Sequence, residues 1–569
     1  MRRPRRVIAV PAVLLSLLLA GCTADALADT SSGSAGTSAD GSTSTTVTDV
    51  AAGATAEEVL AANADVHEVA DAGAATGTIT LDGETATSDS DGVTADGSVV
   101  TITAGGTYTI TGTLDDGQVV VDAGDAVVHL VLDGADITSS TGAALVVSSA
   151  GSAVVELADG SVNALTDAAA YADADAEDAP SAALFSTTDL TITGDGALTV
   201  TGNANDGITS KDGLVIESGQ ITVDAVDDGI RGKDYLVVSG GTLDVTAGGG
   251  SGTEPTDATS TKGVKGSASV VVGGGTLTVD SADDAVHSDG IVSITDGDLT
   301  LSSGDDGVHA DAALDVAGGA LDVLTSSEGL EAEAITLAGG DITVVASDDG
   351  INAASSASGS TEDAQGDWAG PGGESSGTAS LTVTGGTVAV DAGGDGLDAN
   401  GTLTVSGGTV VVHGPTNDGN GAIDADSTPS VTGGTLVAAG SSGMAMAPGT
   451  DGQGWVSATF DSAQAAGTTL AVVDADGTVV ATFTPTKDIT SLVISAAGLT
   501  AGEQYTVVSG ATASGDAVEG YTSSGDASGA TEVLTVTAGE HTAGTGSGGM
   551  PGGGQGAGGQ GGGRPGGNG

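Results

Sequence analysis

A short element, Asp-Gly-Ile or a close variant, returns along this chain at nearly constant spacing. It appears as Asp206-Gly207-Ile208 and Asp228-Gly229-Ile230, then as Lys262-Gly263-Val264, Asp284-Ala285-Val286 and Asp306-Gly307-Val308. Glu328-Gly329-Leu330, Asp349-Gly350-Ile351 and Asp395-Gly396-Leu397 continue it. The central residue advances by 22, 34, 22, 22, 22, 21 and 46 positions. The 34-residue step is one period plus an insertion around 248–260, and the 46-residue step spans a Ser-, Gly- and Pro-rich insertion at 354–378. A period of this length marks stacked units, none of which buries its own apolar face. A nine-residue calcium-binding repeat does not fit the spacing.

Each unit carries a second element, Gly-Gly-Thr followed by alternation, as in Gly240-Gly241-Thr242-Leu243-Asp244-Val245 and Gly274-Gly275-Thr276-Leu277-Thr278-Val279. A third short apolar run, such as Leu236-Val237-Val238, lies between the two. Period-two alternation turns Leu243 and Val245 inward and Asp244 outward. The double glycines suit corners where a Cβ would clash or φ must be positive. Three strands and three turns per period predict an all-β chain. The expected fold is a right-handed parallel β-helix, a three-sheet solenoid of about 22 residues per coil. Aromatics are 2% of residues and glycine supplies 98 of 569, so Ala, Val, Ile and Leu must build the core.

The N-terminus carries Arg2, Arg3, Arg5 and Arg6, an apolar run from Val7 to Leu19, and then Ala20-Gly21-Cys22. This resembles a bacterial lipoprotein signal over residues 1–21, with lipid on the thiol of Cys22. The expected place is the extracellular face of the bacterial cytoplasmic membrane, reached through that lipid anchor only. Cys22 is the sole cysteine, so no disulfide forms within the chain. Residues 22–53 read as a disordered tether, and 54–70 suit one short helix with Thr55 as N-cap and Glu58 three residues on. The repeat domain is expected over 75–450. A small β-rich region over 454–510 holds Trp455, Phe460, Phe483 and Tyr505, with a hairpin at 471–480. Residues 511–569 read as a disordered, Gly-rich tail.

Beyond Cys22 the chain has seven Lys and Arg against all 77 Asp and Glu, a formal charge of 7 − 77 = −70. That excludes the basic footprint nucleic acid requires. In stacked units, equivalent residues stand above one another at about 4.8 Å. One column then reads Asp206, Asp228, Lys262, Asp284, Asp306, Glu328, Asp349, Asp395, thickened by Asp227, Asp283, Asp305 and Asp348. Like charges at that spacing repel. Calcium, which takes six to eight oxygen ligands in flexible geometry, is the expected counter-ion. The candidate ligands are Asp283, Asp284, Asp305 and Asp306, then Asp227 and Asp228. Capping of turn amides by the same aspartates is the simpler alternative and can coexist with a metal. A second column holds Thr209, Arg231, Lys265, His287, His309, Glu331, Asn352 and Asp398, with Lys211 and Lys233 alongside. Lys211, Arg231, Lys233, Lys265, His287 and His309 are the candidate ligand-binding residues; neutralising the acidic column is their alternative role.

The leader, the Asp305-Asp306-Gly307-Val308-His309 type of repeat and the Gly-Gly-Thr turns resemble a bacterial carbohydrate-binding β-helix family. The resemblance implies a pectate-lyase-like fold, bound calcium, and affinity for cellulose-like and acidic pectic polymers. Few aromatics fall on the repeats, which favours a uronic-acid-rich polysaccharide over stacking on neutral sugar. The sequence favours non-catalytic, calcium-associated polysaccharide binding. Its alternatives are a calcium-dependent lyase, with Arg231 and Lys233 as the groups to test, and a structural or adhesion protein without glycan affinity.

Overall fold

The computed structural model describes residues 75–171, 179–254, 260–355 and 377–542, with Gly53, Thr55 and Glu58. The leader, Cys22 and the Gly-rich end lie outside the described residues. Of the expected helix only its start is described. There Thr55 N donates to Glu58 Oε2 at 2.9 Å and Glu58 N donates to Thr55 Oγ1 at 3.3 Å, the reciprocal pair of a capping box. Among the described residues no helix is long and apolar enough to cross a membrane.

The repeat becomes strand register. Gly229 and Gly263 each precede a three-residue strand, and Gly207 lies within the strand Asp206–Ser210; the neighbour of each is the same element one period away. Ile208 pairs with Ile230, Ile230 with Val264, Val264 with Val286, and Val286 with Val308, all parallel. Leu330, Ile351 and Leu397 carry the column on. A second column runs through Leu214, Leu236, Val270, Val292 and Leu314, and a third through Leu243, Leu277, Leu299 and Leu321. All three face one shared apolar interior. Each such side chain contributes about 1.5–3 kcal/mol on burial.

The architecture differs from the expected one. Hydrogen bonds join 39 strands into one continuous, mostly parallel sheet, not three separate ones. The reason lies at the corners. Strands Ser269–Ser281 and Ile291–Ser303 run through a glycine-bearing corner into the next face and pair with each other on both sides of a register shift. The expectation of a right-handed, three-sheet β-helix is therefore corrected to a single closed wall around one core.

Two glycine positions show why the sequence repeats as it does. A Cβ on Gly229 would meet Val245 Cγ1 at 2.3 Å and the Gly263 carbonyl at 2.6 Å, so the wall can approach its own interior only without one. Gly275, second of its pair, has φ +87°, a region that L side chains rarely adopt.

Antiparallel strands cover both ends. Gly77–Gly83 pairs with Thr85–Ser88, and Val93–Asp96 with Val99–Ile102. At the other end Thr435–Gly440 and Trp455–Gln464 both pair with Ile489–Ser495. A five-stranded antiparallel sheet is appended there, containing the hairpin of Leu470–Val473 and Val479–Phe483. It extends past residue 510, where the sequence reading ended it, through Thr531–Thr537. Its core packs Phe460, Phe483 and Tyr505 against Val411 and Val437 of the last turns of the wall. Lys487 Nζ fastens the join, donating to the carbonyls of Ala392 at 2.6 Å and His413 at 3.1 Å beside Asp391.

Candidate functional site

The two charged columns lie along one corner of the wall. Several turns present a residue i, just before the glycine of the repeat (Ala285 in one turn), and a residue i+3, whose side chains meet. Thr209 Oγ1 donates to Asp206 Oδ2 at 2.8 Å, His287 Nδ1 lies 2.7 Å from Asp284 Oδ2, and His309 Nδ1 lies 3.0 Å from Asp306 Oδ2.

The i carboxylates divide their oxygens between two tasks. One oxygen accepts the backbone N–H of the next turn. Asp206 takes that of Asp228, Asp228 that of Lys262, and Asp284 that of Asp306. Asp349 takes that of Asp395, and Asp395 that of Gly421. This is the capping role, and it explains why an acidic column recurs in buried turns. The other oxygen accepts the Thr209 hydroxyl in Asp206 and faces a cationic or ring-nitrogen partner in Asp228 and Asp284.

Along the first turns the chain supplies that partner itself. Arg231 Nη1 lies 3.7 Å from Asp228 Oδ2, an oxygen with no hydrogen-bond partner. Lys262 Nζ sits between Asp283 Oδ2 at 2.9 Å and Asp284 Oδ2 at 2.8 Å. Burial alone would push this ammonium down, but Asp284 and Asp283 outweigh it and hold it above the usual lysine range. His309 bridges Asp306 and Glu331, the latter at 2.8 Å. Burial opposes its charge, yet Asp306 and Glu331 raise it to about 11, so it stands as an imidazolium. His287 and His309 stack with ring centroids 5.0 Å apart.

The sequence-predicted residues fall as follows. Arg231, Lys265, His287 and His309 are in register on successive turns. Lys211 and Lys233 follow the ends of equivalent strands, their amides bonded to Ser186 and Ser210 one turn back. Lys211 Nζ lies 6.0 Å from the Phe185 ring centroid. Asp283, Asp284 and Asp305 gather with ligand oxygens within 4.8 Å, as do Asp284, Asp306 and His309. Asp227 and Asp228 belong to no such group among the described residues. Asp227 Oδ1 instead accepts the amides of Ser260 and Thr261. Two groups escaped the sequence reading: Asp306, Glu328 and Glu331, and Asp349, Asp395 and Asp398.

Clusters with metal-holding geometry are thus present. At Asp283–Asp284–Asp305, however, the Lys262 ammonium already lies between two of the carboxylates, so calcium does not fit there as the side chains stand. The same clusters correct the expectation of a non-catalytic binder. Asp306 is raised to about 9, chiefly by burial, Glu331 is lowered by His309, and an imidazolium lies between them. Asp284, Asp306 and His309 bring acid and base groups within 4.8 Å of one another, an arrangement that acid–base chemistry can use.

Comparison with known proteins adds a carbohydrate connection. Residues 96–254 and 250–307 match a family model described as carbohydrate-binding domain-containing protein. A protein of that description from Acetivibrio thermocellus is 39% identical over 137 residues, 24% of this chain and 48% of that protein. The chain thus spans about half the length of the curated relative it matches. A solved structure, described as the polysaccharide lyase-like protein from C. thermocellum in a gadolinium derivative, is 35% identical. It covers 42% of this chain and 97% of its own, with a TM-score of 0.39.

Proposed function

We propose that this chain is a polysaccharide lyase acting on a uronic-acid-rich polymer, calcium-associated and held at the bacterial surface by lipid on Cys22. The observation that carries this reading is the in-register stripe of basic side chains Arg231–Lys265–His287–His309 on an otherwise strongly acidic chain. Its rungs repeat at about 4.8 Å, so a polymer laid along the wall runs beside equivalent basic side chains at a regular spacing. The carbohydrate-binding family match over residues 96–307 supports a polysaccharide partner and includes Arg231, Lys265 and His287.

The chemistry is β-elimination. A cation pairing the uronate carboxylate spreads the charge that develops when the proton on C5 leaves. Arg231, partly exposed beside buried Asp228, is placed for that pairing. Lys233, two residues on and exposed, is the side chain assigned to take up that proton. The C5–H and C4–O bonds break, a C4–C5 double bond forms, and the departing oxygen takes a proton from water. No step passes through calcium, whose role here is to neutralise carboxylates that the chain's own cations do not reach.

The test is incubation of the full chain with soluble 1,4-linked polyuronates in calcium, following the ultraviolet absorbance of the unsaturated product. Absorbance should rise with the unsubstituted chain and fall at least tenfold in rate for Arg231→Ala and Lys233→Ala. No rise with any polyuronate, or full activity in both variants, would reject the lyase.

A further inference from the structure

One face of the wall points away from the interior and is nonetheless buried. On the second column of strands, outward residues alternate with interior ones. Turn by turn and in register, the outward series reads Thr107, His129, Val154, Thr191, Val215, Val237, Val271, Ser293 and Asp315. Val237 and Val271 are 0% exposed, Thr107, His129, Val154, Val215 and Ser293 are buried, and Thr191 and Asp315 are half-buried. Val154, Val215, Val237 and Val271 do not belong to the interior cluster. The Ser293 hydroxyl is buried with no hydrogen-bond partner among the described residues, so water does not reach it. The outward residues of the third column behave differently: Thr199, Thr222, Asp244 and Thr278, in register on successive turns, are all exposed. Side chains pointing out of a single wall lose their water only where a further layer lies on them.

Both ends of the buried series touch the chain's own N-terminal segment. At the first turn Thr76 N donates to the Thr107 carbonyl at 2.7 Å, and Thr76 Oγ1 accepts the Thr107 N–H at 3.0 Å. At the far end the Gly53 amide donates to the Asp315 carboxylate, so close that a Cβ on Gly53 would lie 3.6 Å from Asp315 Cγ. Eight turns separate Thr107 from Asp315, about 38 Å at 4.8 Å per turn. Fully extended, the chain from Gly53 to Thr76 would reach about 76 Å, twice the distance. A helix over 56–70 covers about 22 Å, and extended residues on either side supply the remainder. The capping box of Thr55 and Glu58 starts a helix at the right place. The sequence that follows is amphipathic at helical spacing, with Val59, Ala62, Val66 and Val69 on one face and Glu57, Asp65 and Glu68 on the other.

We propose that residues 56–70 lie lengthwise on this face as a helix, with Val59, Ala62, Val66 and Val69 packed on the outward valines Val154, Val215, Val237 and Val271. The occupant of the apolar stripe is thus a segment of the same chain, fixed at one end by Asp315 and at the other by Thr107. A polysaccharide is thereby kept off the second face over these turns, while the charged corner and the third face stay open to it. The chain before Gly53 leaves the wall from its flank, eight turns away from Thr107, so whatever holds the N-terminus pulls on the side of the wall. The packing depends on no sugar and no metal, and it stands whether or not the chain is a lyase.

The experiment is thiol labelling of the full chain with its single cysteine removed by Cys22→Ser. In that background Val237→Cys should react about a hundredfold more slowly than Thr222→Cys, its outward counterpart on the third column. Adding Val66→Asp to Val237→Cys should bring its rate to within a few-fold of Thr222→Cys, because the helix then leaves the face; Val69→Asp serves the same purpose if Val66→Asp fails to give the β-sheet circular dichroism spectrum. Labelling of Val237→Cys as fast as Thr222→Cys overturns the proposal, as does slow labelling that persists with Asp at 66 or 69. Protection that appears only as protein concentration rises assigns the face to a second copy and also overturns it.

Discussion

Replacing Lys262 by Met should open the wall locally, and the size of the effect follows from its surroundings. The ammonium holds Asp284 at 2.8 Å and Asp283 at 2.9 Å, with side-chain exposures of 13% for the lysine and 4% for Asp284. Breaking a buried pair from one side costs about 3–5 kcal/mol, because the remaining charge is left without a partner. Here the loss is softened. Asp284 keeps His287 at 2.7 Å, and Asp283, at 18%, can take up water. The expected cost is therefore at the lower end, about 3 kcal/mol. A long repeat wall need not unfold in one step, so the readout should be local. In chelator, amide hydrogen exchange across Val264–Gly266 and Val286–Ser288 should accelerate on the order of a hundredfold, since each 1.4 kcal/mol is tenfold. Adding Asp284→Asn should return much of that protection by removing the stranded charge. Calcium should also restore part of it, because the position between Asp283, Asp284 and Asp305 is then vacant. Unchanged exchange in the single variant, or a double variant worse than the sum of its parts, would refute the counter-ion account.

Two further outcomes follow from the geometry. Asp206 is raised to about 7, first by burial and then by Asp228, so the folded chain holds its proton more tightly than the unfolded chain does. Its contribution therefore improves stability as pH falls from about 7 toward 4; Asp206→Asn should flatten that slope and stabilise the chain by a few kcal/mol at most at pH 8, read by urea midpoints. Gly229→Ala places a methyl 2.3 Å from Val245 Cγ1 and 2.6 Å from a backbone carbonyl, and should cost roughly 1–3 kcal/mol. A melting temperature equal to that of the unsubstituted chain would show that the wall yields there.

The register was legible in the sequence because stacking converts a 22-residue period into a vertical neighbour, and the pairs Arg231–Lys265 and His287–His309 follow from counting alone. What counting cannot show is how faces meet. The corner within Ser269–Ser281 stays extended and hydrogen-bonded, so sheets that looked separable are one. Nor does a column reveal which side chain satisfies which. Lys262 read as an interruption of the acidic series, yet its ammonium is what Asp283 and Asp284 hold. Asp349, Asp395 and Asp398 stood on adjacent turns in the two columns, but the ligand choice followed the aspartate doublets at 283–284 and 305–306, a signal that Asp395 and Asp398 lack.

The antiparallel strands that cover both ends of the wall have a consequence for how copies of this protein meet. A stack of parallel strands grows by adding another strand, and an uncovered first or last turn is a template for a second molecule. Here Thr85–Ser88 lies against Gly77–Gly83 at one end, and Ile489–Ser495 against Thr435–Gly440 at the other. Molecules crowded side by side therefore find these two terminal strands already paired, which limits end-to-end growth of the wall.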